Sequence, residues 1–220
     1  MTYDIIATGS TGNAVVINGN ILIDCGVPFK RLRKYVPDLR IVLLTHEHGD
    51  HFNPATVRAL HRERPALRWG CCEWMVPKLL EAGVDARVID VYVPDRLAWY
   101  DNWIAVEPVS LAHNVPNCGY KLRTELMREN LFYATDCATL DGIEAKGYDL
   151  YMIEANHTEA EIEARLRAKE AAGEFAYETE AMRNHLSQEQ ALSWLAENMV
   201  TRSKYVFLHQ HQERGRPDAQ

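Results

Sequence analysis

The sequence predicts an α/β domain. Short β-rich runs recur from Tyr3 to Ile153, while two later or intervening segments open with recognisable helix caps at Asn53 and Ser187. The chain has 220 residues, 47% hydrophobic and 25% charged, enough to bury one sizeable core. No stretch approaches the ~18 to 20 continuous apolar residues of a membrane span. The opening Met1-Thr2-Tyr3-Asp4 has neither the basic nor the apolar region of a secretory signal, so a cytoplasmic protein with no membrane partner is expected.

The elements follow in order. Tyr3–Ala7, Ala14–Ile17 and Ile21–Asp24 read as strands, broken by Gly9-Ser10-Thr11-Gly12-Asn13 and by a hairpin turn at Asn18-Gly19-Asn20. Ile41–Thr45 is a short apolar run suited to a strand buried on both faces. Asn53 caps a helix running to about His61, with Pro54 at its first position. Trp74–Ala82 suits a helix stopped by Gly83, and Arg87–Val91 returns to strand. The pattern from Trp103 to Thr135 is strand again, punctuated by Pro108, Pro116 and Gly119, and Leu150–Ile153 is a further buried strand. Thr158–Ala172 is helical, with Glu161/Arg165 and Glu163/Arg167 at i,i+4 spacing. Ser187-Gln188-Glu189-Gln190 matches a capping box for a helix to about Asn198, and Tyr205–Leu208 is the last strand. Residues 1–212 are expected to form one domain with a helical excursion at 157–184, leaving 213–220 as a tail.

The five cysteines, Cys25, Cys71, Cys72, Cys118 and Cys137, include an adjacent pair and no CxxC. That is a poor disulfide framework and a poor zinc finger, so reduced thiols in or near the core are expected.

The chemistry concentrates in Thr45-His46-Glu47-His48-Gly49-Asp50-His51, directly after a buried strand. Imidazole and carboxylate are ligands for zinc, manganese and iron. His46 and His48, at i,i+2, can point to one side, and Asp50 and His51, after the flexible Gly49, to a neighbouring point. That suits two metals sharing a pocket ~3.5 to 4 Å apart. Two metals need more ligands than one loop supplies. His113, Asp136 and His209 each stand at a strand end, where a lone His or Asp is more often a turn residue, but together they complete a two-metal set.

With this HxHxDH motif at His46, His48, Asp50 and His51, and with His113, Asp136 and His209 at the later ligand positions, the chain resembles the metallo-β-lactamase fold superfamily over nearly its whole length. The resemblance implies an αββα sandwich of two mixed β-sheets flanked by helices. It implies that His46, His48 and His113 hold one metal, that Asp50, His51 and His209 hold the other, and that Asp136 bridges them. Asp136 stands where class B1 β-lactamases have Cys, and His48 where flavodiiron proteins have Glu. The substrate domain of glyoxalase II, the β-CASP insertion and the long ribonuclease Z arm are not evident.

The YycJ/WalJ-type branch fits better; it is similar to small RNase-Z-like phosphodiesterases and includes DNA exonucleases. Its segments appear in order: Gly9-Ser10-Thr11-Gly12-Asn13, Cys118-Gly119-Tyr120, Thr135-Asp136, Glu154-Ala155-Asn156-His157 and Asn184-His185-Leu186-Ser187. That branch usually follows its last ligand with Ser and an Asn pair. Here the chain reads His209-Gln210-His211-Gln212, so His211 is the alternative to His209, which directly ends the strand.

The resemblance implies a phosphodiesterase with two divalent ions, Zn or Mn, acting on nucleic acid, with a DNA exonuclease as the specific expectation. A metal-activated hydroxide is the implied nucleophile, oriented by Asp50, with His185 as proton donor supported by Glu154. Ser10 and Asn13 either line the pocket or only make the turn, and His157 either joins the site or starts the charged helix; all three are candidate substrate-binding residues. A small (cyclic) nucleotide phosphodiesterase and a lactone or thioester hydrolase are the competing enzymes, and a non-catalytic metal-binding interaction protein is the competitor outside catalysis.

Net charge is −7, against a wholly basic nucleic-acid coat. Two basic clusters lie in the first half, Lys30, Arg31, Arg33, Lys34 and Arg58, Arg62, Arg64, Arg68. They are solvated faces, or they cradle phosphates if they flank the site.

Overall fold

The computed structural model describes residues 1–124, 129–172 and 182–210. The first sheet is built in chain order from β1 (Tyr3–Ala7), β2 (Ala14–Ile17), β3 (Ile21–Ile23), β4 (Ile41–Leu44), β5 (Arg68–Cys72) and β6 (Ile89–Tyr92). The first three strands pair antiparallel and the rest parallel. The second sheet runs in the reverse spatial order, β12 (Lys204–Leu208), β11 (Leu150–Glu154), β10 (Glu129–Ala134), β9 (Asn117–Thr124), β8 (Ile104–Leu111) and β7 (Ala98–Tyr100). Its β10–β12 are parallel and β7–β10 antiparallel.

Side-chain alternation builds four layers. Along β4, Ile41 and Leu43 face the second sheet, meeting Ile104, Val106, Tyr120, Tyr133 and Met152. Val42 and Leu44 face outward, where α1 (Phe29–Leu32), α2 (Pro54–Glu63) and α3 (Val76–Glu81) cover them with Leu32, Val57, Leu60 and Leu79. This two-sided burial matches the continuous apolar run of β4. On the far side, α5 (Gln188–Asn198) lays Ala191, Trp194 and Leu195 over Phe132, Tyr151 and Ile153. The helix α4 (Glu159–Ala172) buries Ile162 and is otherwise largely exposed. Its Arg167 pairs with Glu163 at 2.8 Å, one of the two expected i,i+4 pairs. The order helix–sheet–sheet–helix is the expected sandwich.

The local signals hold at the turns and caps. Asn18 and Gly19 have left-handed φ of 49° and 73° in the three-residue turn that joins Ile17 of β2 to Ile21 of β3. Asn53 accepts from the backbone N–H of Ala55 and Thr56, and Ser187 and Gln190 form the reciprocal capping box. All five cysteines are free and buried.

Elsewhere the structure corrects the reading. The expected helix Trp74–Ala82 begins as a 3-10 turn over Glu73–Met75 before α3, since Pro77 has no N–H to give an α-type bond to Glu73. Likewise Ala86–Val88 is a 3-10 turn capped by Asp85, and the strand starts at Ile89. The strands β5 and β7 and the short α1 were not separately expected. Part of the helical excursion, 173–181, and the tail 213–220 lie outside the described residues. Among the described residues, no helix is long and apolar enough to cross a membrane.

Candidate metal centre

The centre forms where loops from both sheets meet. The first sheet contributes the loop after β4. Here Gly26 is needed for close approach, because a Cβ on it would lie 1.7 Å from the Asp50 carbonyl oxygen. Asn13 is equally committed. Its backbone N–H donates to the Asp50 carbonyl at 2.5 Å, and its side-chain nitrogen lies 3.3 Å from Asp50 Oδ2 and 2.8 Å from His51 Nε2. The second sheet contributes single residues after strand ends: His113 beyond β8, Asp136 beyond β10 and His209 directly after β12. Asp136 and His209 take left-handed φ of 55° and 51°. That turn is held for Asp136 by the Asn117 amide, which donates to the carbonyls of Thr135 and Asp136. For His209 it is held by Thr8 Oγ1, which accepts its N–H at 2.6 Å, and by Asn156, which donates to its carbonyl.

Four groups of donor atoms result among the described residues, one of them being Asp136, Glu154, His185 and His209. His46 Nε2, His48 Nδ1 and His113 Nε2 converge, with His48 Nδ1 3.1 Å and 3.3 Å from the other two. Asp50, His51 and His209 form a second group, with Asp50 Oδ2 3.8 Å from His51 Nε2 and 3.7 Å from His209 Nε2. Asp136 joins them: it lies in one group with His46 and His51, and its Oδ2 is 2.7 Å from His51 Nε2.

Hydrogen bonds behind these atoms set which nitrogen faces inward. His51 Nδ1 lies 2.7 Å from Asp24 Oδ2, which leaves Nε2 for the centre. The Thr45 hydroxyl has one hydrogen, directed at Asp24, and therefore accepts from His46 Nδ1 at 3.0 Å. His46 Nε2 then carries its lone pair inward. Glu154, fully buried, accepts from His185 Nδ1 at 2.6 Å and His209 Nδ1 at 2.8 Å through one oxygen, and from the N–H of Cys137 and Leu186 through the other.

The electrostatics fit a cation site. Burial, then the charge of His51, holds His46 well below the usual imidazole range, and burial lowers His113 as well, so both keep free lone pairs. Burial also pushes against charge on His51 and His209, but carboxylates outweigh it. Asp136 and Asp24 hold His51 well above its ordinary value, and Asp50 and Glu154 raise His209 to about 10. Burial opposes ionisation of Asp136 too, yet the neighbouring His51 holds its carboxyl well below the usual range. His209 Nε2 is buried with no hydrogen-bond partner among the described residues, 3.7 Å from Asp50 being too long. An orphaned nitrogen facing carboxylates and imidazoles of N and O type fits a divalent ion.

Every expected metal ligand is thus brought to the centre, with His185 and Glu154 beside it. His211 lies outside the described residues; His209 is the histidine the structure places here. Asn13 is a buried clamp on Asp50 and His51 as well as a turn residue. Ser10 is exposed and enters none of these contacts. His157 stays outside all four groups: its backbone bridges Ser187 and its ring meets Asn156 at 3.4 Å. Asp24, Thr8 and Asn117 were not anticipated, and Thr45 and Asn156 had no role assigned. The one sequence signal for Asp24 is a charged residue ending an apolar run.

The model of the beta-lactamase superfamily domain matches residues 19–209. No curated protein is similar to the chain in sequence at a significant level. Among solved structures, human tRNase Z, short form, superposes with a TM-score of 0.72 at 18% identity, covering 96% of this chain and 93% of that one. The metallo-beta-lactamase fold protein YhfI from Bacillus subtilis gives 0.69 at 14%, covering 96% and 86%. Zn(2+)-bound PqqB from Methylobacterium extorquens gives 0.68 at 12%, covering 96% and 89%. The chain therefore belongs to the beta-lactamase superfamily, and it shares the fold of these three proteins.

Proposed function

We propose that the chain is a metal-dependent phosphodiesterase that hydrolyses nucleic acid, with a DNA exonuclease as the specific activity. The observation that carries the proposal is the pair of ligand triads meeting at Asp136, with His185 at their edge. His46, His48 and His113 would hold one divalent ion, Asp50, His51 and His209 the other, and Asp136 both. Zinc and manganese suit these ligands. When bound, such a pair supplies a water acidified toward neutral pH and a clamp on a phosphoryl oxygen.

The chain's own groups do the rest. Asp50 accepts a proton or a hydrogen bond from the attacking water, while the Asn13 amide keeps its carboxylate turned toward the centre. His185, with a side chain 20% exposed, is the group beside the ligands open to a leaving oxygen. Its Nδ1 is anchored on Glu154, which leaves Nε2 to deliver the proton. Phosphodiester chemistry is favoured by the fold-level neighbours, which include a tRNase Z and a diphosphatase from the PhnP family.

The test is turnover of bis-p-nitrophenyl phosphate by protein loaded separately with Zn²⁺ and Mn²⁺, with Asp136→Ala as control, followed by end-labelled DNA. Hydrolysis lost in the control, and stepwise release of mononucleotides from DNA, is the expected result. Turnover of cyclic nucleotides alone would replace the nucleic-acid reading, and turnover of lactones or thioesters alone would overturn the phosphodiesterase.

A further inference from the structure

The two basic clusters have different fates in the fold. Arg64 donates to the carbonyls of Val36, Pro37 and Leu39, and Arg68 is paired with Asp90, so both are structural. Arg58 and Arg62 stand one turn apart on the exposed face of α2, opposite its buried Val57 and Leu60. Lys30, Arg33 and Lys34 are exposed on and just after α1. Among the described residues, Lys30, Arg58 and Arg62 have no ion pair.

Both helices start from the centre. α1 follows Gly26, the residue packed on the Asp50 backbone, and α2 follows His51 and its cap Asn53. Thr56 of α2 donates to the Val27 carbonyl just before α1, and the two helices pack together. Arg31 donates to the Ile6 carbonyl, two residues before the Thr8 that holds His209. The cations therefore run outward from the rim of the metal centre. On the side of the second sheet, α4 opens with Glu159 and Glu161, and α5 with Glu189.

We propose that the outward face of α1 and α2 carries the phosphate backbone of a nucleic-acid strand leading to the metal centre. The substrate class rests on the phosphodiesterase reading above. Guanidinium and ammonium groups along one face bind phosphates without reading bases, whereas the glutamates that open α4 and α5 offer the strand no such contact.

The experiment is fluorescence anisotropy of a labelled phosphorothioate DNA strand of about 20 nucleotides, which keeps the backbone charge while resisting cleavage, titrated with intact protein across about 50 to 200 mM salt. Arg58→Glu/Arg62→Glu is compared with Arg96→Glu/Lys204→Glu, an equal charge change at exposed positions off this face. The first pair is expected to weaken binding about tenfold or more. It should also flatten the slope of log affinity against log salt by about 1.4, the change expected when two phosphates are no longer neutralised. The second pair is expected to change affinity by about twofold at most. Equal losses in both pairs, or none in the first, overturn the proposal, as does wild-type protein that sediments with phosphatidylserine vesicles and leaves the strand unbound. Thermal unfolding shows whether the first pair folds; if it does not, Arg58→Gln/Arg62→Gln takes its place, with a loss beyond that of the control pair expected. Binding is read without turnover, so failure here and failure to hydrolyse bis-p-nitrophenyl phosphate are separate results.

Discussion

The two sheets supply the metal centre in opposite ways. The first gives four donor residues on one loop, His46 to His51, seated on Gly26 and clamped by Asn13 and Asp24. The second gives three residues far apart in the chain, His113, Asp136 and His209, each brought in by the end of a different strand. Among these, His209 is braced by Glu154, which also holds His185 and the Cys137 N–H next to Asp136. One half is a local motif that a short segment can encode. The other exists only once β8, β10 and β12 lie in the same sheet. The chain thus joins donors adjacent in the sequence to donors gathered only by the fold, and Asp136 is where the halves meet.

Removing that joint has the largest expected effect. Asp136→Ala should lower phosphodiester turnover at least about a thousandfold and leave fewer than two ions bound, measured by steady-state kinetics and elemental analysis. Two ions and full turnover in this variant would separate the halves and sink the bridging role. His185→Ala acts on the second half alone. It should reduce kcat about a hundredfold while the metal content stays the same, the signature of a proton donor rather than a ligand. A loss of metal instead would make His185 part of the coordination. Asp24→Asn acts on the first half alone, through His51. It should weaken metal affinity about tenfold to a hundredfold in a competition titration with a chelator, and unchanged affinity would show the brace to be dispensable. Ser10→Ala should alter kcat/KM for bis-p-nitrophenyl phosphate by less than about twofold; a larger fall would return Ser10 to the substrate pocket.

The contrast between halves also explains what was legible. The HxHxDH loop, the hairpin at Asn18-Gly19 and the caps at Asn53 and Ser187 depend on neighbours a few residues away, and all appear as expected. The strand-end residues proposed as ligands stand out in the sequence because apolar runs stop just before them. Asp24 and Asn117 were not, since their partners, His51 for one and the carbonyls of Thr135 and Asp136 for the other, become neighbours only in the folded sheets. The Asn156-His157 pair divides for the same reason: the Asn156 side chain holds His209, while the His157 backbone bridges Ser187 and its ring meets Asn156. Arg64 and Arg68 resembled Arg58 and Arg62 in the sequence, yet two of the four are spent on carbonyls and Asp90. The strand β5 was hidden by Gly70, whose missing side chain makes room for Tyr92 and Leu43.

The two-ion centre we propose is split between the sheets and joined at Asp136. The most direct measurement is the metal stoichiometry of the purified protein after loading with Zn²⁺ and removal of excess, for the wild type and Asp136→Ala side by side. Two ions per chain in the wild type, falling below two in the variant, is the predicted result. A wild type that holds one ion or none, or a variant that still holds two, would contradict it.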